Sequence, residues 1–377
     1  MNHTFSYRHS FALGCLIAIC STANAQFTAT VLNPPSSAGS YASAANAAGG
    51  ATQVGFVSDF TSEFGAGSGR AALWNGSSSS LVNLHPTGFS WSNALGVSGN
   101  YQAGHGLTTP GGKEHALLWN GTATSVVDLN PAGFEKSIAY SVSGSSQVGT
   151  ATNGLGWNSS RAIFWQGTAA SAVILHPAGF QRSVAYGVSG GFQVGSATTN
   201  DPNSVTHAIL WNGSASSFVD LNPTGYTGSL ARGVSGNSQV GWGTTGGKSH
   251  AMLWSGTAAS YIDLHPTGFD QSYAEAVHGN TQVGYGYLAG SFAPRALLWT
   301  GSAAGYIDLH SLLSSSAVAF VTSKATGISE NGDIVGYGND ADGRTYAIKW
   351  APVPEPGTMA VLGLGIAGLI RRRKNGK

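Results

Sequence analysis

The 377-residue sequence predicts an all-β fold: a seven-bladed β-propeller of roughly 45-residue, four-stranded repeats, closed by its N-terminal strand. Three observations carry this. A Trp recurs at Trp74, Trp119, Trp165, Trp211, Trp254, Trp299 and Trp350, at intervals of 45, 46, 46, 43, 45 and 51 residues. A fixed period in this range marks a repeat array, and four short strands per period make a propeller blade. Each copy breaks into β-branched or aromatic segments fenced by Gly, Asn, Ser or Pro, which is strand patterning. Finally, the array begins and ends on fragments that complete each other.

Residues 1–25 come first and read as an export signal. Arg8 supplies positive charge, Phe11–Cys20 is an apolar run, and Ala23-Asn24-Ala25 is an A-x-A cleavage site ahead of Gln26. Cys15 and Cys20 are the only cysteines, so the exported body would hold none and no disulfide framework is expected. Charged residues make up 9% of the chain while hydrophobic residues reach 42%, enough to build a core without ion-pair networks.

The repeat body occupies 26–351. Four segments recur: A-x-G-V-S-G, as at Ala94–Gly99, Ala185–Gly190 and Ala231–Gly236; Q-V-G, as at Gln147–Gly149 and Gln239–Gly241; A-x-x-W, as at Ala116–Trp119 and Ala251–Trp254; and V-D-L-[HN]-P, as at Val127–Pro131 and Val219–Pro223. Each is expected to be a strand of four to six residues. Asn-Gly at 75–76, 120–121 and 212–213 is expected to form a tight turn between the third and fourth strands, because such turns need positive φ. The Pro of L-[HN]-P cannot donate to a ladder and ends its strand, and the Gly of Q-V-G admits a close backbone approach. Thr30–Pro34 is a fourth-strand segment with no third strand before it; Tyr346–Trp350 is a third-strand segment with no fourth after it. Joining them closes a ring and leaves no open edge.

Residues 352–377 form the last element. Thr358–Ile370 is almost wholly apolar and is followed by Arg371, Arg372, Arg373 and Lys374. A single hydrophobic helix is expected here, short of the ~20 residues that span a bilayer comfortably, with its basic end held in the cytoplasm. Without the two terminal signals, the body from Gln26 to Val353 holds 11 Lys+Arg against 15 Asp+Glu, a net charge of 11 − 15 = −4. That argues against nucleic-acid binding.

The tail, with Pro354-Glu355-Pro356 before the apolar run and arginines after it, closely resembles the PEP-CTERM sorting signal of exopolysaccharide-producing bacteria, a segment also classed with ice-binding protein C-termini. The resemblance implies an exosortase-type enzyme as partner, cutting near Pro354–Pro356 after transient anchoring in the membrane. The body resembles extracellular HAF-type repeats, through His115–Trp119 with Asp128-Leu129 and through Ala325–Ser329 with Gly332–Gly338. That resemblance implies a propeller-like extracellular domain and no enzyme activity. The combined expectation is an exported structural or adhesive protein at the cell surface or in an exopolysaccharide matrix. A lectin-like glycan-binding propeller is the alternative, and a polysaccharide-active enzyme a more remote one.

No cofactor is expected. Gly363–Gly368 spells G-x-G-x-x-G, but it lies in the apolar tail, without the preceding strand or the later acidic residue that a dinucleotide site needs. Asp128, Asp220, Asp263 and Asp308 each hold the same place in their own copy, so they read as turn caps standing far apart around a ring. His85, His176 and His265 share a slot that Asn130 and Asn222 fill elsewhere; His115, His207 and His250 recur at the start of A-x-x-W. Both sets read as structural. Asn339–Gly343 resembles a calcium loop but lacks its distal Glu, and reads as a polar hairpin. The repeated Trp reads as core. Unrepeated aromatics are the better binding candidates: Trp91, Tyr101, Trp157, Phe192, Trp242, Tyr285 and Tyr287, with Trp157 and Trp242 foremost for stacking on sugar.

Overall fold

A computed structural model describes residues 27–33, 41–59, 69–109, 112–154 and 159–353. Residues Phe27–Pro352 form one compact unit built from seven four-stranded antiparallel sheets, the seven blades of a propeller. Blade 1 runs from an inner strand, Tyr41–Gly49, through Thr52–Asp59 and Gly69–Trp74 to an outer strand, Val82–Asn83. Blades 2 to 6 repeat it with inner strands Phe89–Ser98, Lys136–Ser143, Phe180–Ser189, Gly228–Ser235 and Phe269–His278. Blade 7 takes Phe320–Ile328, Ile334–Asp340 and Thr345–Pro352 from the end of the array and its outer strand, Phe27–Val31, from the start. That last pair is antiparallel, with Phe27 opposite Pro352 and Val31 opposite Ile348. The complementary ends do close the ring.

The repeat motifs explain the packing. All seven repeated tryptophans are 0% exposed and pack between neighbouring sheets. The Gly of Q-V-G lies against the carbonyl of the inner strand. A Cβ on Gly55, Gly149 or Gly241 would come within 1.8–1.9 Å of Ala44 O, Ile138 O or Leu230 O. The Gln of Q-V-G has its own role: its Oε1 accepts from the turn glycine after the third strand, as from Gly76, Gly121 and Gly213 at 2.7–2.8 Å.

Two local expectations need correction. Asn-Gly does not make a two-residue hairpin. Gly76, Gly121 and Gly213 take positive φ of 75–81° as expected, but each opens a longer connection containing a 3-10 turn, Ser78–Ser80 in blade 1. The outer strands of blades 1 to 6 are ladders of only two residues; in blades 1 to 5 a proline that cannot donate follows at once, Pro86 in blade 1, while blade 6 has Ser311 in that place and turns into the 3-10 segment Ser311–Ser315. A short outer strand also leaves little edge for another chain to pair with.

A repeated hydrogen-bond staple fastens blade to blade. In all seven inner strands a buried serine accepts from the backbone N–H of the A-x-x-W alanine in the preceding blade, as Ser183 Oγ does from Ala162 N at 2.9 Å. The same hydroxyl meets the residue of the L-[HN]-P slot. Ser137 donates to Asn130 Oδ1 at 2.7 Å, and Ser183 lies 2.9 Å from His176 Nδ1. In His85 and His265 the Nε2 faces a backbone carbonyl at 3.1 Å and so carries the ring proton, which leaves Nδ1 to accept from the hydroxyl. Asn Oδ1 and neutral His Nδ1 therefore offer the same acceptor, which is why the two residues exchange. At the ring closure Ser43 bonds Asn33, and both accept from Ala347 N at 3.0 Å.

Candidate functional site

Each inner strand carries a β-bulge two residues before the V of A-x-G-V, so one residue per blade has no partner across the ladder. That residue is the x of the motif: Asn46, Leu95, Tyr140, Tyr186, Arg232, Glu275 and Thr326. All seven line the central channel, a cavity of about 280 Å³. The following small residue lets the inner strands crowd together: a Cβ on Gly96, Gly187 or Gly327 would meet the next blade's backbone at 2.7–2.9 Å. Thus the sequence holds the ring constant and varies one channel-facing side chain per blade.

From blade 3 to blade 6 these side chains touch in series. Tyr140 and Tyr186 lie 5.1 Å apart between ring centroids. The Arg232 guanidinium sits 4.5 Å from the Tyr186 ring and 5.6 Å from Trp242, and its Nε is 3.2 Å from Glu275 Oε2. Lys324 Nζ lies 4.1 Å from the Tyr285 ring. Burial works against the Arg232 charge, but Glu275 and the surrounding phenols hold its pKa above the usual guanidinium value. Burial raises the Tyr140 and Tyr285 hydroxyls above the ordinary phenol range, helped by Tyr186 and Glu275 respectively. It lowers Lys324, against the pull of Glu275. The phenols are therefore neutral donors at pH 7, set among a held cation and its carboxylate.

Trp242 packs edge-on to Tyr273 at 5.2 Å; Tyr273 stacks on Tyr285 at 5.0 Å; Tyr287 closes the group at 5.9 Å from Tyr285. These four rings are half-buried on blades 5 and 6, beside the channel. Three of the aromatics singled out from sequence thus come together, and Tyr273 joins them. They lie in strands beside the channel, Trp242 in Ser238–Thr245 and Tyr285 and Tyr287 in Thr281–Leu288. Trp91 instead packs against His105 at 4.8 Å, and Tyr101 and Phe192 begin second strands at the opposite end of the blades. Trp157 lies outside the described residues, as do Ala23, Ala25 and Gln26 of the export signal and Pro354, Glu355, Pro356, Arg371, Arg372 and Arg373 of the tail.

The repeated acids and the imidazoles that begin A-x-x-W are occupied within their own blades. His115, His207 and His250 bond Asp128, Asp220 and Asp263 through Nδ1 at 2.6–2.8 Å, and Arg295 replaces the histidine against Asp308 at 3.1 Å. The other oxygen of Asp128 accepts from Asn130 N, capping the turn. Asn339–Gly343 forms a hairpin in which Asp340 accepts from Asp342 N and Arg344 N, and Arg344 pairs with Asp342 at 2.7 Å. Among the described residues no group of three or more His, Cys, Asp or Glu is placed to hold a metal ion.

Residues 352–374 match the PEP-CTERM protein-sorting motif. The motif marks the chain as exported, anchored at its C-terminus before processing, and handled by an exosortase-type enzyme. No helix among the described residues is long and apolar enough to cross a membrane. The curated proteins hold no match to the sequence. Among solved structures, the fold is similar to the β-propeller domain of the trilobed protease from Pyrococcus furiosus, with a TM-score of 0.57 at 8% identity over 82% of this chain and 93% of that one. It is also similar to the acylaminoacyl peptidase of Pyrococcus horikoshii, with a TM-score of 0.53 at 9% identity over 86% of this chain and 54% of the peptidase. A prolyl endopeptidase gives a TM-score of 0.50 at 9% identity, covering 84% and 51%. This chain thus spans about half the length of those two peptidases.

These likenesses correct one expectation. The expectation that the chain is no enzyme rests on its repeat character and on its repeat resemblance, but the solved structures of similar fold include two peptidases and the propeller domain of a protease. At 8–9% identity the likeness establishes the fold alone, so it transfers neither catalytic residue nor substrate.

Proposed function

We propose that the exported protein is a structural and adhesive propeller of the cell surface or exopolysaccharide matrix, built of HAF-like repeats and holding matrix glycan by lectin-like contact. Export would remove residues 1–25 ahead of Gln26, and sorting would cut near Pro354–Pro356. The observation that carries the reading is the unrepeated group Trp242, Tyr273, Tyr285 and Tyr287 beside a channel lined by Tyr140, whose hydroxyl burial holds above the ordinary phenol range. Rings of this kind present flat apolar faces with polar edges, which suits the alternating faces and hydroxyls of a sugar. Seven stapled blades give that group a rigid mount.

The test is binding of the purified exported protein to the host's own exopolysaccharide, compared with the double variant Trp157→Ala/Trp242→Ala. Affinity is expected to fall at least tenfold, about 1.4 kcal/mol, with the melting temperature retained. Unchanged binding would overturn the reading.

A further inference from the structure

The position after Q-V-G separates the blades into two kinds. Blades 5, 6 and 7 carry rings there: Trp242, Tyr285 and Tyr337. Blades 3 and 4 carry Thr150 and Ser196. Where the rings are missing a second cavity opens, about 290 Å³, walled from the channel by Tyr140 and Tyr186 and bounded by Leu230 of blade 5. Its lining is hydroxyl-rich: Thr150, Ser196, Thr198 and Thr206, the first three at most 6% exposed.

Those hydroxyls are incompletely used. Thr150 Oγ1 donates to Arg161 O at 3.1 Å, which leaves its acceptor positions open. Thr198 Oγ1 is shared between Arg182 Nε at 2.9 Å and Thr206 Oγ1 at 3.0 Å. The Ser196 hydroxyl, in a residue 6% exposed, has no hydrogen-bond partner among the described residues. Buried hydroxyls of this kind take a partner from solvent or ligand. At the rim stands Arg182, exposed and held by its Nε alone, in none of the ion pairs among the described residues. Arg161 lies alongside, its Nη1 donating to Gln181 O. The acid of the adjoining loop, Asp201, is turned to Asn203 N and Ser204 N.

We propose that this cavity is a second saccharide subsite, selective for one acidic sugar residue of the uronic acid class; it rests on the glycan-binding reading above. The hydroxyls of Thr150, Ser196 and Thr206 meet the ring hydroxyls, Tyr186 offers an apolar wall, and the unused N–H groups of Arg182 take the sugar carboxylate. A planar guanidinium held by one nitrogen is suited to two-point contact with a carboxylate. The volume sits at the small end of ligand pockets and holds one ring, not a chain.

The test compares an oligogalacturonate with the matching neutral galactose oligomer, by calorimetric titration of the purified exported protein. The acidic probe is expected to bind at least tenfold tighter. Arg182→Gln should erase that difference and leave neutral binding in place. Ser196→Trp, which gives blade 4 the side chain blade 5 already carries, should abolish the acidic preference by filling the cavity. Equal affinity for the two probes, or a preference that survives Arg182→Gln, overturns the proposal. Neutral binding that depends on Trp242 with no acidic preference overturns this proposal alone; binding of neither probe overturns the glycan reading with it.

Discussion

Replacing Ser183 with alanine tests the inter-blade staple. Ser183 is 1% exposed and holds two partners from one oxygen, Ala162 N and His176 Nδ1, both at 2.9 Å. Its removal leaves a fully buried amide without an acceptor and an imidazole nitrogen without its donor. An orphaned buried group costs ~1–3 kcal/mol, and the half-buried imidazole recovers part of its loss from water, giving a total of ~2–4 kcal/mol. At ~2 °C per kcal/mol for a domain of this size, the melting temperature should fall by roughly 4–8 °C. Thermal unfolding followed by circular dichroism reads this directly. Two companions frame the result. Ser79→Ala, on an exposed turn, should shift stability by no more than ~0.5 kcal/mol. His176→Asn should be nearly neutral, because Asn130 and Asn222 fill that slot in other blades with the same acceptor. If Ser183→Ala melts with Ser79→Ala while His176→Asn loses several degrees, the staple does not work as described.

The same staple predicts an acid sensitivity. Burial lowers the pKa of His85, His176, His265 and His310, assisted by Arg70, Arg161, His250 and Arg295 respectively. A folded pKa below the unfolded value of ~6.5 means that the unfolded chain binds the extra proton. Stability is therefore full above pH ~6.5 and declines as pH falls through that value toward the folded pKa, by at most ~1.4 kcal/mol per pH unit per histidine. Replacing all four with asparagine should flatten the pH dependence of the melting temperature between pH 7 and 5; an unchanged slope would contradict the assignment. Gly241→Ala should cost ~3 kcal/mol or more, since its Cβ would stand 1.9 Å from Leu230 O and 2.9 Å from Ala231 Cα. A denaturant midpoint equal to the parent's would show that the inner strand can move aside.

The architecture was legible because its signals were repeated. One Trp per period counts the blades, and the unmatched fragments around Val31 and Ile348 locate the closure from sequence alone. The exchange of His with Asn likewise pointed to a shared turn role. What escaped notice depended on a neighbouring blade. The staple serine lies two residues before the Ala of every A-x-G-V, from Ser43 to Ser323. Its constancy was hidden by the abundance of serine and by a partner some 21 residues earlier. The channel residues were missed for the opposite reason. Motif reading attends to constant letters, and Tyr186, Arg232 and Glu275 occupy the one place written x. The two-residue outer strands were overestimated because Leu84 and its equivalents are buried like strand residues and still donate to the third strand, as Leu84 N does to Ala71 O at 2.8 Å, yet make the last bond before the chain turns away.

Closure of the ring is what brings the seven bulge residues to one channel, and a cross-link across it is the most direct measurement. No cysteine follows Cys20, so Thr28→Cys/Ala351→Cys places the only two thiols of the exported body on residues paired across the closing sheet. Oxidation should give a monomer linked end to end, with altered mobility under denaturing conditions and a raised melting temperature, both reversed by reductant. Free thiols after oxidation, or disulfide-linked dimers in place of the linked monomer, would mean that the first strand does not complete the last blade.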